Sequence, residues 1–373
     1  MTNISESLYK IISKWIEPYE VYSISEHGNG LINSTYKITT KGTDNPDFIL
    51  QKINHNIFKD VDGLQNNIIK VTDHIRKGLI RQGIKDVDRR VLTIQYLNTD
   101  GGDENGNNIS KNEKRASWYK DEGGNCWRIF KFISDTKSYE KMTSPAMAEL
   151  AGKAFGNFHK QLSDFDGESL CEVLPGFHNT PMRIENLRKR VVLDPVGRLK
   201  SVAAEVDFLF SRAGEYSKIV EMGNAGVIPK RVVHQDTKFN NVLLDSDDNI
   251  LCVIDLDTVM PGYICYDVGD AIRTGANKGL EDDENLDNVE FDTDIYNGFI
   301  KGFIEETKDM LTSAEMDTLS FGPRLLTYEQ AVRFLDDYID GDNYYRCREG
   351  FPQHNLVRAR AQIKLLQSME KTL

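Results

Sequence analysis

Apolar and polar positions alternate with the two-residue period of a pleated strand near the start of the chain, and later lengthen to the period of a helix. Residues 20–53 contain "VYSISEHGNGLINSTYKITT" and "DFILQKI", short β-rich runs broken by glycines, Asn and Pro46, and these predict strands. Ahead of them Ile4, Leu8, Ile11, Ile12 and Trp15 recur at helical spacing. From Val61 to Leu79 the pattern is helical again, with Leu64, Ile68, Val71 and Ile75 on one side. "RRVLTIQYL" (89–97) and "CWRIFKFI" (126–133) predict two further strands. The polar insert between them, "NTDGGDENGNNISKNEKRASWYKDEGGN", has turn chemistry at both ends and reads as a long solvated hairpin with a short strand around Trp118.

After Ser134 the texture changes. Segments 143–162, 201–222, 292–310, 313–340 and 353–372 all carry helical periodicity, and only the stretch around 231–259 adds clear strands. The pattern predicts an α+β protein: a small sheet-rich N-terminal lobe (1–133), a hinge (134–140) and a larger helical lobe (141–373). The acidic run "EDDENLDNVEFDTD" (281–294) reads as a solvated or mobile loop.

Composition narrows the classes of function. With 373 residues the chain can bury one large or two ordinary cores, and a formal net charge of -12 argues against nucleic acid or an anionic membrane as the default partner. The N-terminal residues show no basic, apolar and small-residue sequence of a secretory signal, and nowhere do 18 apolar residues run together. Five cysteines at wide, irregular spacings suggest neither a disulfide framework nor a zinc site, so the expected setting is the reducing cytoplasm.

The chemistry concentrates in "RVVHQDTKFNNVLLDSDDNILCVIDLDTV" (231–259). "VLL" (242–244) and "ILCVID" (250–255) are apolar runs separated by the turn signal "DSDDN", which predicts a β-hairpin. His234–Asn241 then form the loop entering its first strand and Asp255 ends the second, so pairing can bring Asp236, Asn241 and Asp255 to one edge. Magnesium takes oxygen ligands, usually one or two carboxylates together with water and phosphate oxygens, and Asn241 with Asp255 suits it. Asp236 is then left to hold an attacking hydroxyl, and Lys238 can neutralise a transferring phosphoryl group.

At this point the chain resembles a known family. "HQDTKFNN" has the H-x-D-x-x-x-x-N spacing of kinase catalytic loops, and "IDLDTV" resembles the metal-binding strand end that follows it, although no A-P-E occurs downstream. The pattern resembles the aminoglycoside phosphotransferase and choline kinase superfamily, and within it most closely the bacterial N-acetylhexosamine 1-kinases. The matching blocks are "GNGLINSTY" (28–36), "FILQKIN" (48–54), "DTKFNNVLLD" (236–245), "CVIDLDTVMPG" (252–262), "YDVGDAIRTGAN" (266–277), "QAVRFLDDYIDGDNYY" (330–345) and "HNLVRARAQIKLLQSME" (354–370). The resemblance implies a bilobal protein-kinase-like fold and an ATP- and Mg2+-dependent small-molecule kinase.

It also implies roles residue by residue. Asp236 corresponds to the catalytic acceptor, and Asn241 and Asp255 to metal ligands. His234 corresponds to an architectural residue, and Asp267 to a scaffold aspartate that pins the catalytic segment; His159 of "FGNFHKQL", on a helix face, reads as structural. Asp257 is either a second metal contact or a partner holding the loop. Gly30, Asn33 and Ser34 stand where a glycine hairpin approaches phosphate, and Lys52 where a third-strand lysine pairs with phosphates. The usual Glu partner is missing from the next helix, so Asp60, Asp62 or Gln65 replaces it or the pair is absent. "KFIS" (131–134), with Ile133, falls where the hinge lends backbone groups to adenine. Arg333 and Tyr344 correspond to sugar contacts, the acceptor being GlcNAc or GalNAc at the anomeric hydroxyl. Other readings stay open: a kinase of another sugar, amino alcohol or aminoglycoside, a nucleotide-binding module without turnover, and a metal-dependent phosphatase.

Overall fold

The computed structural model describes residues 6–16, 19–28, 32–98 and 116–373; Ile4, Gly30 and most of the polar insert at 98–125 lie outside the described residues. By their contacts the residues form two compact units. One comprises Met1–Lys137 with Leu244–Asp257, the other Ser138–Leu243 with Thr258–Leu373.

In the first unit α1 (Glu6–Ile12) precedes β1 (Val21–Glu26), β2 (Ser34–Thr40) and β3 (Phe48–Ile53). Then follow α2 (Val61–Arg81), a single turn α3 (Val87–Arg90), β4 (Tyr119–Lys120) and β5 (Cys126–Lys131). The strands pair antiparallel in the order β1-β2-β3-β5-β4. Alternation decides which face is buried: Phe48 and Leu50 of β3 point inward with Ile38 and Ile129, and Ile12 and Trp15 from the N-terminal helical segment cover them. Asp60 caps α2 by accepting from Gly63 N, and Leu64, Ile68 and Val71 turn its apolar face to the interior.

One strand expectation fails. Residues 89–97 do not form a regular strand: Arg89 and Arg90 close the α3 turn, and the rest runs extended beside β5 with one isolated bridge, Ile94 to Phe130. The two arginines have other partners. Arg89 Nη2 donates to the carbonyls of Ser134 and Asp135 at 3.1 Å each, while Arg90 pairs with Asp86 at 3.0 Å and donates to the Ile250 carbonyl at 3.0 Å.

The chain continues through α4 (Pro145–Gln161), α5 (Thr180–Leu193), α6 (Ala203–Tyr216), α7 (Lys218–Asn224) and β6 (Arg231–Val233). The hairpin of β7 (Val242–Leu244) and β8 (Ile250–Val253) follows, its turn closed by Asp245, whose carboxylate accepts from Asp247 N and Asn249 N at 2.9 Å. Then come β9 (Met260–Gly262), α8 (Ile264–Gly275), α9 (Thr293–Thr307), α10 (Ser313–Met316), α11 (Phe321–Asp340) and α12 (His354–Met369). The expected division assigned everything beyond residue 140 to the second lobe. Leu244–Asp257 instead groups with the first unit, because Lys137 and Leu244 exchange both backbone hydrogen bonds at 2.9 Å and Arg90 reaches Ile250.

The second unit is mainly helical, with β6 and β9 as a short antiparallel pair. All five expected helical segments are present, two of them broken into α6 with α7 and α10 with α11. α5 and α8 were not anticipated. α5 is polar, with only Thr180, Ile184 and Leu187 buried, while α8 is buried along Ile264–Ile272, its polar Asp267 and Asp270 included, because these turn onto the loop at 234–237. α4 and α9 cross almost backbone to backbone: a Cβ on Gly152 would lie 2.1 Å from the Phe299 carbonyl oxygen, and one on Gly302 equally close to that of Glu149. The main core lies among α5, α6, α8, α11 and α12, around Tyr216, Tyr328, Leu335 and Leu366.

The acidic run is not simply a solvated loop. Glu281 pairs with Arg273 at 2.8 Å, Asp282 lies 2.6 Å from Arg348 and 2.9 Å from His354, and Asp292 caps α9. Among the described residues no helix is long and apolar enough to cross a membrane.

Candidate active site

β6 ends at Val233, and the loop His234–Asn241 is fixed from beneath by two aspartates one helical turn apart on α8. Asp267 accepts from His234 N at 2.7 Å and from Gln235 N at 2.8 Å; Asp270 accepts from Thr237 N at 2.9 Å. Thr237 Oγ1 donates to the Asp267 carbonyl at 2.6 Å, and Thr258 Oγ1 to the His234 carbonyl at 2.6 Å. His159, carried by α4 from the glycine-rich crossing, sets Nε2 2.9 Å from Asp267 Oδ2. Burial alone would raise the Asp267 carboxyl, but His159, His234 and the loop amides outweigh it and hold the group below its ordinary value. Gln235 has φ +64°, a left-handed conformation that costs a non-glycine residue energy and persists only where its neighbours enforce it.

The constrained loop presents three polar side chains together. Lys238 Nζ lies 2.7 Å from Asp236 Oδ1, and Asn241 Nδ2 donates to the Asp236 carbonyl at 2.9 Å and to Oδ2 at 3.2 Å. Burial works against the charge on Lys238, but Asp236 and Asp270 outweigh it and raise the ammonium above its ordinary value. Asn241 engages its N–H side on Asp236, so its oxygen is the atom left for a hard cation. Asp270 was missed by sequence reasoning; the signal was its place three residues after Asp267 in "YDVGD". Arg273 grips its other oxygen at 3.3 Å.

The first unit holds the remaining predicted residues. Asp255 is exposed at φ +59°, just past β8. Asp257 is buried: Oδ1 lies 2.5 Å from Arg128 Nη2, and Oδ2 accepts from Asn33 Nδ2 at 2.6 Å. Arg128, another residue the sequence reading missed, also donates twice to Gln51 Oε1, at 2.9 and 2.8 Å. An arginine inside the apolar run "CWRIF" was the available signal. Of the two roles left open for Asp257, the observed contacts are those of a holding residue.

Asn33 was expected to offer a polar donor to phosphate. Both ends of its amide make protein contacts, Nδ2 donating to Asp257 and Oδ1 accepting from Asn54 N at 2.9 Å. Ser34 is exposed at the start of β2, in register with Lys52. Among the described residues Lys52 has no carboxylate partner; its ammonium stands 6.0 Å from the Trp127 ring centroid. Asp60 caps α2, Asp62 accepts from Trp118 Nε1 at 2.8 Å, and Gln65 is buried with neither amide atom bonded. The Ile133 carbonyl accepts from Thr136 Oγ1 at 3.2 Å. Gly30 lies outside the described residues.

In the second unit Arg333 is held between the rings of Phe177 and Tyr345, 5.3 and 5.6 Å from their centroids. Tyr344 is 72% exposed, with its backbone N–H on Asp337 at 2.8 Å. Asp337 also accepts from the amides of Asn343 and Tyr345 and from Asn355, anchoring the loop that carries both tyrosines.

Among the described residues no group of three or more His, Cys, Asp or Glu side chains could hold a metal ion. The profile of the phosphotransferase enzyme family, APH, matches residues 23–295. Among solved structures the chain is similar to an aminoglycoside phosphotransferase from Alicyclobacillus acidocaldarius at 12% identity and TM-score 0.59, covering 96% of this chain and 94% of that one. It is similar to an amicoumacin kinase in complex with AMP-PNP and Ca2+ at 12% identity and TM-score 0.57, covering 99% and 95%. A spectinomycin phosphotransferase in complex with ADP gives 12% identity and TM-score 0.54 over 100% of both chains. The α+β arrangement described above is the kinase-like fold of these structures.

Proposed function

From the premise that this chain belongs to the APH phosphotransferase enzyme family, we propose that it is an ATP- and Mg2+-dependent small-molecule kinase acting on N-acetylhexosamines at the anomeric hydroxyl. The observation that carries the reading is the Asp236, Lys238 and Asn241 group on a loop held by Asp267 and Asp270. Asp236 accepts the proton of the acceptor hydroxyl as that oxygen attacks the γ-phosphorus of ATP and ADP departs with the broken bond's electron pair. The transition state is loose, so the proton leaves late and an ordinary carboxylate suffices. Lys238 offsets charge on the phosphoryl oxygens. Asn241, through its amide oxygen, and Asp255, through its carboxylate, would hold a magnesium ion, which when bound would neutralise phosphate charge. Lys52 and Ser34 are assigned to the nucleotide, as is the backbone at Ile133. Arg333 and Tyr344 are assigned to the sugar.

Phosphorus NMR of the product after incubation with ATP, Mg2+ and GlcNAc or GalNAc tests acceptor and position together. An anomeric phosphate is expected, and a phosphate on any other oxygen removes the 1-kinase assignment. A second reading, a nucleotide-binding module without turnover, draws on Lys52, which has no carboxylate partner among the described residues and stands 6.0 Å from the Trp127 ring centroid. Acceptor-dependent ADP release above background excludes it.

A further inference from the structure

Two arginines of the second unit converge on Phe177. Arg183 Nη2 donates to the Phe177 carbonyl at 3.1 Å, and the Arg333 guanidinium lies 5.3 Å from the Phe177 ring centroid. Neither makes an ion pair among the described residues, and Arg183 Nε is buried without a hydrogen-bond partner. The buried carboxylate nearby, Glu329, is taken: its oxygens meet His178 Nδ1 at 2.8 Å and Thr180 Oγ1 at 2.7 Å. Burial, and then the neighbouring Arg333 charge, push the Arg183 guanidinium below its ordinary value, although Glu329 opposes this.

This cluster is linked to the catalytic loop. His178 packs 5.0 Å from the Tyr266 ring and its carbonyl accepts from Tyr266 Oη at 3.2 Å. Tyr266 precedes Asp267, which holds Gln235 and His234. Glu329 is a single carboxylate beside two guanidiniums, so one positive charge stays in excess at the cluster, and a ligand's oxygen atoms relieve the remaining repulsion. Arg333, pressed between two rings, already has its planar donor fork oriented.

We propose that Arg183 and Arg333 together form a charge filter in the acceptor site, reading a neutral or anionic oxygen group on the acceptor and repelling an ammonium group at the same place. The filter rests on the small-molecule kinase reading and deepens it. An amido sugar passes because its acetamide offers an uncharged carbonyl oxygen, whereas the free amino sugar brings a cation to two guanidiniums.

The test compares GlcNAc with glucosamine as acceptors for the full chain, in the wild type, Arg183→Gln and Arg183→Lys, by ADP release. The wild type should favour GlcNAc in kcat/KM by roughly tenfold or more at pH 6.5, the scale of one uncompensated charge contact. That preference should shrink as pH rises past about 8, where an amine flanked by electron-withdrawing groups loses its proton. Arg183→Gln should narrow the ratio to within about threefold by gaining activity on glucosamine, and Arg183→Lys should keep it. A ratio unchanged by Arg183→Gln and by pH overturns the filter. If neither sugar is phosphorylated, the N-acetylhexosamine assignment fails and the filter is judged by calorimetric binding of glucuronate. Binding to the wild type that is lost in Arg183→Gln sustains the filter, and no binding overturns it.

Discussion

At the scale of single residues, the site is organised by side chains that hold backbone. Asp267 and Asp270 take three amides of the loop that carries Asp236, so the position of that carboxylate is set through the backbone. Asp236→Asn should lower kcat roughly 10²-fold or more, the usual effect of losing a positioned acid-base group, with nucleotide affinity little changed. Turnover near the wild-type rate would remove Asp236 from its role. Asp267 predicts a pH effect. Its carboxyl is held below the ordinary aspartate value of 3.8, so its contribution to stability is complete above that value and is lost as pH falls through the lower folded one. Urea midpoints measured downward from pH 5 should therefore fall for the wild type, and Asp267→Asn, already less stable, should show a flatter acid limb. Identical limbs would contradict the assignment. Asp236, Lys238 and Asn241 were legible as a group because they lie within one short stretch of sequence. Arg128 and Asp270 were not, because each acts on a residue far away in the chain. Asn33 shows another limit: its type suited phosphate, but nothing local revealed that Asp257 and Asn54 would also engage its amide.

At the scale of elements, periodicity recovered most of the helices but not α5 or α8. α2 has a clear apolar stripe and was expected within two residues of its end, whereas α8 is shorter and its polar residues Asp267 and Asp270 face the backbone of the loop at 234–237 instead of solvent, so the segment reads as a motif and not as a helix. The strand expected at 89–97 has suitable residues but only one bridge, since side-chain bonds of Arg89 and Arg90 hold that segment in a turn. The α4–α9 crossing makes a further prediction, because α4 also carries His159, whose Nε2 lies 2.9 Å from Asp267. Gly302→Ala would place a methyl group 2.1 Å from the Glu149 carbonyl oxygen. Separating the helices should cost about 1–3 kcal/mol, read as a lower urea midpoint, and should lower kcat as well by shifting His159. An unchanged midpoint would mean that the crossing tolerates a side chain.

At the scale of the whole molecule, the kinase-like fold was legible from the order of short motifs along nearly the full chain. The composition of the two units was not, because nothing local to Leu244–Asp257 announces that it belongs with residues before 137. A nucleotide that binds only the folded protein raises its thermal midpoint, by about 2.7 kcal/mol of added stability at roughly a hundred times its Kd. ATP with Mg2+ should therefore raise the Tm more than ATP with EDTA, and Asp255→Ala should abolish the difference between them. An undiminished difference in that variant would remove Asp255 from the metal.

The return of Leu244–Asp257 to the first unit also bears on how a ribosome delivers this protein. The sheet emerges early, yet the partner segment of Lys137 and Arg90 is made only after all of Ser138–Leu243 has been translated. The first unit thus cannot finish folding as an N-terminal piece, and nascent chains stalled before residue 244 should be more open to protease within their first 137 residues than chains stalled well beyond 257.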